Sequence, residues 1–302
     1  MFVLVLSTNA ISIKDGYLTI PQSREFSRLH SSKNIRIRFP KRLEGKKIKE
    51  VRILPVNNGQ YYKIQYVYLQ EEEPLPLDTN KALGIDLGID NLAACIPSDG
   101  TPFIIDGRKL KSINRYWNKQ KARYQGIADH QNIKGGKTKR ICSLTVKRNN
   151  QVKDTIRKAV RYIINYCIDN NIGTLVIGCN EDFKRSTNLG KTNNQNFVQI
   201  PLGDLRQSLK YLCQRYGILY IEQEESYTSK SSYPDKDILP VYKAKQSYTG
   251  FSGKRIHRGL YRTKDGTLIN ADINGVANIL RKVNGYSFEL PDSGHPLRIR
   301  LS

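Results

Sequence analysis

KALGIDLGIDNLAACIPSDG (residues 81–100) carries one carboxylate, Asp86, inside an apolar run with a glycine on either side. The pattern predicts a buried strand, a glycine-containing turn and a second strand that returns beside the first. An ionised carboxylate in such surroundings costs several kcal/mol unless a cation or hydrogen-bond donors compensate it. Asp86 is therefore a candidate ligand for a positively charged group. A strand-end aspartate bonded to turn amides remains the structural alternative.

The composition points to a polyanionic partner. The 302 residues include 50 Lys and Arg against 27 Asp and Glu, a formal net charge of +23. Such a field attracts nucleic acid. No stretch has the length and hydrophobicity of a membrane span, and no basic amphipathic helix has a bulky apolar face. We therefore predict a cytoplasmic protein without a membrane partner. The sequence does not predict an oligomeric state.

Changes in hydrophobic pattern divide the chain. Residues 1–70 alternate like strands joined by tight turns, which predicts a small antiparallel β module. Strands then alternate with helices, which predicts a mixed α/β sheet with helices on its faces. The predicted boundaries are a linker at 71–80, a main domain at 81–283 with a basic helical hairpin (106–171) and an irregular polar insertion (230–268), and a tail at 284–302.

Three acidic residues occupy special positions in this pattern. Asp86 lies in the first strand of the main domain, Glu225 ends a later strand, and Asp272 opens the last predicted helix. If these elements are neighbours, their oxygens suit Mg²⁺ or Mn²⁺, and two such ions can catalyse phosphodiester hydrolysis. Glu225 could instead be an exposed acid of a solvated run. Asp272 could be an ordinary helix N-cap.

Several long segments resemble one protein family. GIDLGIDNLAA, LTVKRNNQVKDTIRKAVRYIINYC, EESYTSK and INADINGVANIL are similar to the TnpB (OrfB) proteins of transposons, relatives of the type V CRISPR nucleases. The resemblance spans about residues 34–283. It implies a RuvC-type nuclease domain with an RNase H-like α/β fold, preceded by part of a β-barrel wedge domain at 1–70. It also implies a guide RNA, a target DNA cut beside a short adjacent motif, and Mg²⁺ or Mn²⁺ as cofactor. The implied setting is the prokaryotic cytoplasm, with the protein associated with the nucleoid when bound.

The resemblance assigns the catalytic acids by position. Asp86 matches the first aspartate of the nuclease and Asp272 the last. Many members place the middle glutamate at the end of the strand that here ends in Gly178. Some members instead carry it two residues before Tyr-Thr-Ser, where this chain has Glu225. We therefore predict Asp86, Glu225 and Asp272 as the metal-binding catalytic residues.

Other acidic residues are alternative candidates for the middle catalytic glutamate. Glu224 is the next candidate, and Glu181 or Asp182 is the fallback. Successive strand residues face opposite sides, so only one of Glu224 and Glu225 can point at the site.

Basic and aromatic residues are the candidates for nucleic-acid contact. Phosphate charge and base stacking are the expected interactions, with a solvated basic helix face as the alternative. The candidates are Lys109, Lys111, Arg115, Trp117, Lys119, Lys121, Arg123, Lys184, Arg185, Lys254, Arg255 and Arg258.

The chain departs from the family pattern in two further ways. Relatives often carry CxxC pairs of a zinc ribbon after Tyr-Thr-Ser, whereas the last cysteine here is Cys213, so zinc is not expected. Relatives also carry a helical recognition lobe and more wedge strands ahead of the matched region. Met1 is therefore expected to head an N-terminally shortened copy.

Two other functions compete with the guided nuclease. The first is an inactive or truncated RNA-guided DNA-binding protein or transposon remnant, favoured by Gly178 and the short N-terminal part. The second is an actin-like ATPase, in which the turn after Asp86 would bind phosphate. That reading needs a second glycine-rich phosphate loop, which the sequence does not supply.

Overall fold

The computed structural model describes residues 2–31, 34–57, 59–131, 138–179, 200–240, 248–283 and 296–301. The chain forms two compact units. One comprises Met1–Glu71 with Ile133–Cys142, and the other comprises Glu72–Asn132 with Ser143–Ser302. None of the described helices combines the length and the hydrophobicity needed to cross a membrane.

The first unit is built from antiparallel strands. Its described strands form two sheets of three, in the orders β1-β5-β6 and β2-β3-β4. The elements are β1 (Leu4–Ser7), β2 (Ser12–Lys14), β3 (Tyr17–Ile20), α1 (Arg24–His30), β4 (Ile35–Arg38), β5 (Ile48–Val56) and β6 (Tyr61–Tyr68), with 3-10 turns at Thr8–Ala10 and Lys41–Leu43. Asp15 and Gly16 link β2 to β3 with positive φ angles of 53° and 72°, as a two-residue hairpin requires. Leu18 and Val51 are fully buried in the core of this unit.

The second unit contains a larger mixed sheet. Six of its described strands pair in the order β11-β10-β7-β8-β9-β15. The described strands of the whole second unit, including three that lie outside this sheet, are β7 (Asp78–Leu87), β8 (Asn91–Pro97), β9 (Phe103–Asp106), β10 (Ile172–Cys179), β11 (Leu219–Glu224), β12 (Lys254–His257), β13 (Leu260–Arg262), β14 (Leu268–Asn270) and β15 (Leu297–Ile299). β8 is antiparallel to both β7 and β9, whereas β10 is parallel to β7 and to β11.

Helices cover both faces of this sheet. They are α2 (Arg108–His130), α3 (Lys139–Asp169), α4 (Leu202–Tyr216) and α5 (Ala271–Lys282). Leu83 and Ile85 of β7 share a core with apolar residues of α3 and α4. Gly84 points the other way, where a Cβ would stand 2.5 Å from Cγ of Leu280 in α5. Because side chains alternate along a strand, Asp86 lies on the α5 face.

The predicted linker at 71–80 is more ordered than expected. Its last residues already belong to β7, which begins at Asp78. Its earlier part is attached to the end of α4: Glu73 N donates to the Arg215 carbonyl at 2.7 Å, and the Arg215 guanidinium binds the Glu73 carboxylate at 2.8 Å. Glu73 of the predicted linker is therefore a partner of the basic end of α4.

The predicted irregular insertion at 230–268 contains a small sheet. β12, β13 and β14 pair antiparallel in that order. Hydrogen bonds of one aspartate link parts of this segment: the Asp237 carboxylate accepts from Ser232 N at 2.8 Å and from Ser252 Oγ at 2.6 Å. The strands are three or four residues long, so they show no hydrophobic period.

Two other boundaries differ from prediction. The second helix of the basic hairpin, predicted to begin at about residue 146, begins at Lys139. Within the predicted tail at 284–302, β15 pairs parallel with β9 at the sheet edge, Arg298 lying opposite Ile104. Residues 284–295 and 302 lie outside the part of the chain that the structure describes.

Candidate functional site

Asp86 lies near the end of the central strand β7, opposite Ala94 of β8. Its carboxyl faces the first turns of α5, where Oδ2 is 3.6 Å from the position of a Cβ on Gly275. The residue keeps partial access to solvent. Dense packing around the carboxyl, and next the charges of Glu225 and Asp272, raise the pKa of Asp86 to about 8.

Asp272 lies in the first turn of α5 and does not cap the helix. The N-cap is Asn270, whose Oδ1 accepts from the backbone N–H groups of Asp272 and Ile273 at 3.0 and 3.1 Å. The Asp272 side chain is thereby left for other partners. Asn91 Nδ2 donates to one carboxylate oxygen at 2.5 Å, and the Arg255 guanidinium binds the other at 3.2 Å.

Glu225 follows directly after β11 and approaches the end of β10. A Cβ on Gly178 would stand 2.6 Å from Glu225 Oε2 and 2.7 Å from Cδ1 of Ile279. The Glu225 carboxylate therefore fills space that a side chain at position 178 would need. Burial is the main cause that raises the pKa of Glu225, whereas the positive charge of Arg206 acts in the opposite direction.

The loop that follows Glu225 is anchored to α5. Asn278 Nδ2 donates to the carbonyls of Thr228 and Ser231 at 3.0 and 2.7 Å. Asn274 donates to the same Ser231 carbonyl at 2.8 Å and accepts from Tyr233 N at 2.9 Å. Both asparagines are fully buried, so these hydrogen bonds fix the loop against the helix that carries Asp272.

Glu224 has a different set of partners. Lys282 Nζ binds its carboxylate at 2.8 Å, and Ser226 N donates to it at 2.5 Å. Burial alone would raise the pKa of Glu224, but these two hydrogen bonds outweigh that effect and lower it. The predicted fallbacks Glu181 and Asp182, with Lys184 and Arg185, lie outside the described residues.

A cleft of about 950 Å³ opens beside Asp86 and Asp272. Among its described lining residues, five are basic and three are acidic: Arg108, Lys111, Arg255, Arg258 and Arg298, with Asp86, Asp90 and Asp272. Arg258 binds Asp90 at 2.6 Å, and Lys111 binds the same carboxylate. The cleft therefore presents carboxylates at its floor and cations around them.

The predicted nucleic-acid residues fall into two groups. Lys111, Arg255 and Arg258 reach the cleft, and Lys254 is exposed on the adjacent strand β12. The other described candidates lie along α2. Arg115, Lys119 and Arg123 are exposed, the Lys109 ammonium donates to the Leu301 carbonyl at 3.1 Å, and Lys121 lies 5.0 Å from the Trp117 ring centroid.

Sequence reasoning missed several residues around the carboxylates. Asn91 lies within the opening stretch, and its position at the start of the returning strand was a usable signal. Arg206 of α4 donates to the Gly178 carbonyl at 2.9 Å and to Cys179 Sγ at 3.2 Å. Arg298 comes from the edge strand β15. The last two contacts depend on tertiary packing, so the local sequence carries no sign of them.

The donor types suit a hard divalent cation. Glu225 and Asp272 are close enough to Asp86 for their charges to raise its pKa, and the absence of a side chain at Gly275 leaves the volume of a Cβ free beside Asp86 Oδ2. Among the described residues, no three acidic, histidine or cysteine side chains stand close enough to enclose one ion. The residues thus fit Mg²⁺ or Mn²⁺ by chemistry, and a shared ion would have to draw the carboxylates together.

The chain matches two protein-family models and is similar to known proteins. Residues 65–183 match the OrfB_IS605 model, described as a probable transposase, and residues 203–279 match the model of the Cas12f1-like TNB domain. The TnpB-like protein ORF457 of Acidianus two-tailed virus is 26% identical over 217 residues, which cover 68% of this chain and 42% of the relative. The endodeoxyribonuclease Cas12f1 of Sulfoacidibacillus thermotolerans is 26% identical over 231 residues, covering 74% and 50%.

A solved structure shares the fold. Cas12f1 in a complex with sgRNA and target DNA superposes with a TM-score of 0.51 at 16% identity, covering 92% of this chain and 59% of that one. The predicted RNase H-like mixed α/β fold is confirmed. The chain spans about half the length of the curated relatives it matches. By these matches, which extend over both the central sheet and the α5 region, the chain is similar to TnpB-like proteins and to Cas12f1.

Proposed function

We propose that this chain is a transposon-associated, RNA-guided DNA endonuclease whose Asp86, Glu225 and Asp272 hold Mg²⁺ or Mn²⁺. The observation that carries the proposal is the meeting of these three carboxylates on one face of the sheet. Asp86 and Asp272 line the same cleft, and Glu225 and Asp272 are near enough to raise the pKa of Asp86. Such a perturbed cluster in a cleft is typical of a catalytic site.

Divalent ions bound there would activate a water molecule and stabilise the leaving oxygen of a phosphodiester. The residues of the chain would prepare that site. Asp86 has to lose its proton before it can hold a cation, because its pKa is raised to about 8. Asn91 fixes the orientation of Asp272 through its hydrogen bond to Oδ2.

The cations around the cleft would hold the substrate backbone. Arg258 and Lys111 are paired with Asp90, and Arg255 with Asp272, so each guanidinium or ammonium is already directed into the cleft. Phosphates could replace these carboxylates as partners, since Arg binds both in the same bidentate manner. These side chains would bind backbone charge and carry no base specificity.

Guide RNA and target DNA are the proposed partners. The net charge of +23 suits two nucleic acids, and one relative is solved with sgRNA and target DNA. Sequence specificity would then reside in base pairing between guide and target, as in other guided nucleases. Zinc has no part in this proposal.

The test begins with the RNA that copurifies with the protein. Sequencing that RNA defines a guide, and matching DNA is then incubated with protein and Mg²⁺, using wild type and Glu225→Ala. A defined small RNA with cleavage lost in the variant supports the proposal. A defined RNA without cleavage by wild type would instead support the guided DNA-binding alternative. Equal cleavage by both proteins would remove Glu225 from the site.

A further inference from the structure

A second large groove lies away from the carboxylates. It is bounded by α3 and α4, with Trp117 of α2 and residues 299–301 at its margins, and has a volume of about 1610 Å³. Small-molecule pockets usually measure roughly 300 to 1,000 Å³, so this groove, called here the α3–α4 groove, has room for a polymer segment.

The charge of the α3–α4 groove is strongly one-sided. Among the described residues that line it, six are basic and only Asp204 is acidic: Arg148, Lys153, Arg157, Lys158, Arg161 and Arg300. Lys153, Arg157 and Arg161 recur every four residues along α3, and all three are exposed. The row extends for about 12 Å at the rise of an α-helix. It therefore offers spaced positive charges to a chain of phosphates.

Aromatic and apolar surface accompanies these charges. Tyr211 on α4 is 50% exposed at the groove, although it lies on an otherwise amphipathic helix. Trp117 lies between two cations, with the Arg148 guanidinium 5.3 Å and the Lys121 ammonium 5.0 Å from its ring centroid. Val152 and Ile156 form part of the floor. Basic rows next to aromatic faces are typical of sites that bind unpaired nucleic-acid strands.

The groove and the carboxylates belong to opposite faces of the sheet. Ile156 and Leu212 of the groove pack in the same core as Leu83 and Ile85 of β7. Asp86 and Gly84 point the other way, towards α5. A strand in the groove is therefore separated from the cleft by the sheet itself.

We propose that the α3–α4 groove binds a single-stranded segment of RNA, with phosphates on Lys153, Arg157 and Arg161 and a base stacked on Tyr211. The choice of RNA rests on the proposed function, in which the DNA to be cut occupies the cleft on the other face. Stacking on aromatic side chains with backbone contacts to a basic row is the usual way in which unpaired RNA is bound.

The single tryptophan of the chain makes this proposal testable. Trp117 lines the groove, so its fluorescence should be quenched when a 20-nucleotide unstructured RNA is added in EDTA, where cleavage cannot occur. The key variant is Lys153→Glu/Arg157→Glu. The matched control is Arg24→Glu/Arg28→Glu, which reverses the same number of charges at the same spacing on α1.

We expect the groove variant to bind RNA at least tenfold more weakly, with a salt-dependence slope reduced by about 1.4 for two lost contacts. The control should retain both values. Tyr211→Ala should weaken binding at least about fivefold without changing the slope. Equal losses in variant and control, or unchanged affinity in the variant, would overturn the site, and an equal loss for DNA of the same sequence would overturn the assignment to RNA.

The outcome is independent of the cleavage test. Circular dichroism of each variant shows whether it folds. A groove that binds RNA in a protein without nuclease activity would refute the proposed function only, whereas guided cleavage with no effect of the groove variant would refute the groove only.

Discussion

The two faces of the central sheet are built from different kinds of residues. Towards α5, the strand β7 presents Ala82, Gly84 and Asp86. Towards α3 and α4 it presents Leu83 and Ile85 within an extensive apolar core. Small residues let α5 approach closely enough for its Asp272 to share a cleft with Asp86. Large residues hold α3 and α4 further away and leave their basic side chains facing outwards.

The difference suggests a division of labour. The α5 face carries a cluster of carboxylates whose burial costs folding energy, whereas the α3 and α4 face buries hydrocarbon that stabilises the fold. Chemistry would thus depend on the small-residue face and nucleic-acid affinity largely on the other. Substitutions on one face should therefore change cleavage and RNA affinity by different amounts.

Asp86→Ala is expected to give the largest difference between the loss of cleavage and the loss of RNA affinity. Cleavage should fall by about 10³-fold or more, because a metal ligand contributes several kcal/mol to transition-state stabilisation. RNA affinity should stay within about threefold, since the charge lies on the other side of the sheet. Single-turnover cleavage and Trp117 quenching measure the two. Asp169→Ala, at an exposed position at the end of α3 outside both the groove and the cleft, is the control and should leave cleavage unchanged. Cleavage retained by Asp86→Ala would contradict the division.

Neighbouring glutamates provide the next test. Glu225→Gln should reduce cleavage by about 10²- to 10³-fold, because it removes a charged oxygen ligand from the cluster. Glu224→Gln should cost less than about threefold, since that side chain is occupied by Lys282 and Ser226 in an exposed position. Rates of Mg²⁺-dependent cleavage of one substrate decide between them. The reverse order would transfer the catalytic role to Glu224.

The pH dependence of the free energy of unfolding measures how much the buried carboxyl of Asp86 destabilises the fold. With its pKa raised to about 8, Asp86 stays protonated in the folded chain while the unfolded chain ionises it above its ordinary value of 3.8. Its contribution to stability is therefore lost as pH rises from about 4 to 8. Asp86→Asn cannot ionise, so in EDTA it should be more stable than wild type by several kcal/mol at pH 8 and by less than about 1 kcal/mol at pH 4. Urea unfolding at both pH values tests this; a difference independent of pH would contradict it.

A smaller effect is expected from Asn91→Ala. This change removes the hydrogen bond to Asp272 Oδ2. Cleavage should fall about tenfold, the value of one hydrogen bond to a charged group, and RNA affinity should not change. Higher Mg²⁺ should restore part of the rate if Asn91 acts by orienting Asp272. A loss that Mg²⁺ does not reduce would indicate that Asn91 has another role.

Parts of this organisation can be predicted from local sequence. The run from Lys81 to Pro97 contains two short apolar stretches separated by a glycine-containing turn, so β7 and β8 follow from it directly. The leucine spacing of α4, with Gly217 ending the helix at a φ of 74°, is similarly clear. These elements are long and periodic, and the signal is contained within each of them.

Other parts depend on distant contacts. The edge strand β15 is three residues long and is defined by pairing with β9, which lies far earlier in the chain. The segment that contains β12, β13 and β14 is held by hydrogen bonds such as that between Asp237 and Ser252. Composition alone describes this segment as a polar loop. From the sequence, Asp272 could have been the N-cap of the last helix. The structure excludes that role because Asn270 is the N-cap.

Gly178 constrains how this family can change its sequence. A glutamate on β10 and the glutamate after β11 would occupy the same volume, so the two positions cannot both be acidic without displacing one carboxylate. A lineage that moves the acid from one strand to the other would therefore pass through ancestors with neither glutamate. On the proposed function, such ancestors would bind a guide without cleaving DNA. One substitution at Glu225 would then give a guided DNA-binding protein, and a nuclease with the acid on β10 would need a second substitution.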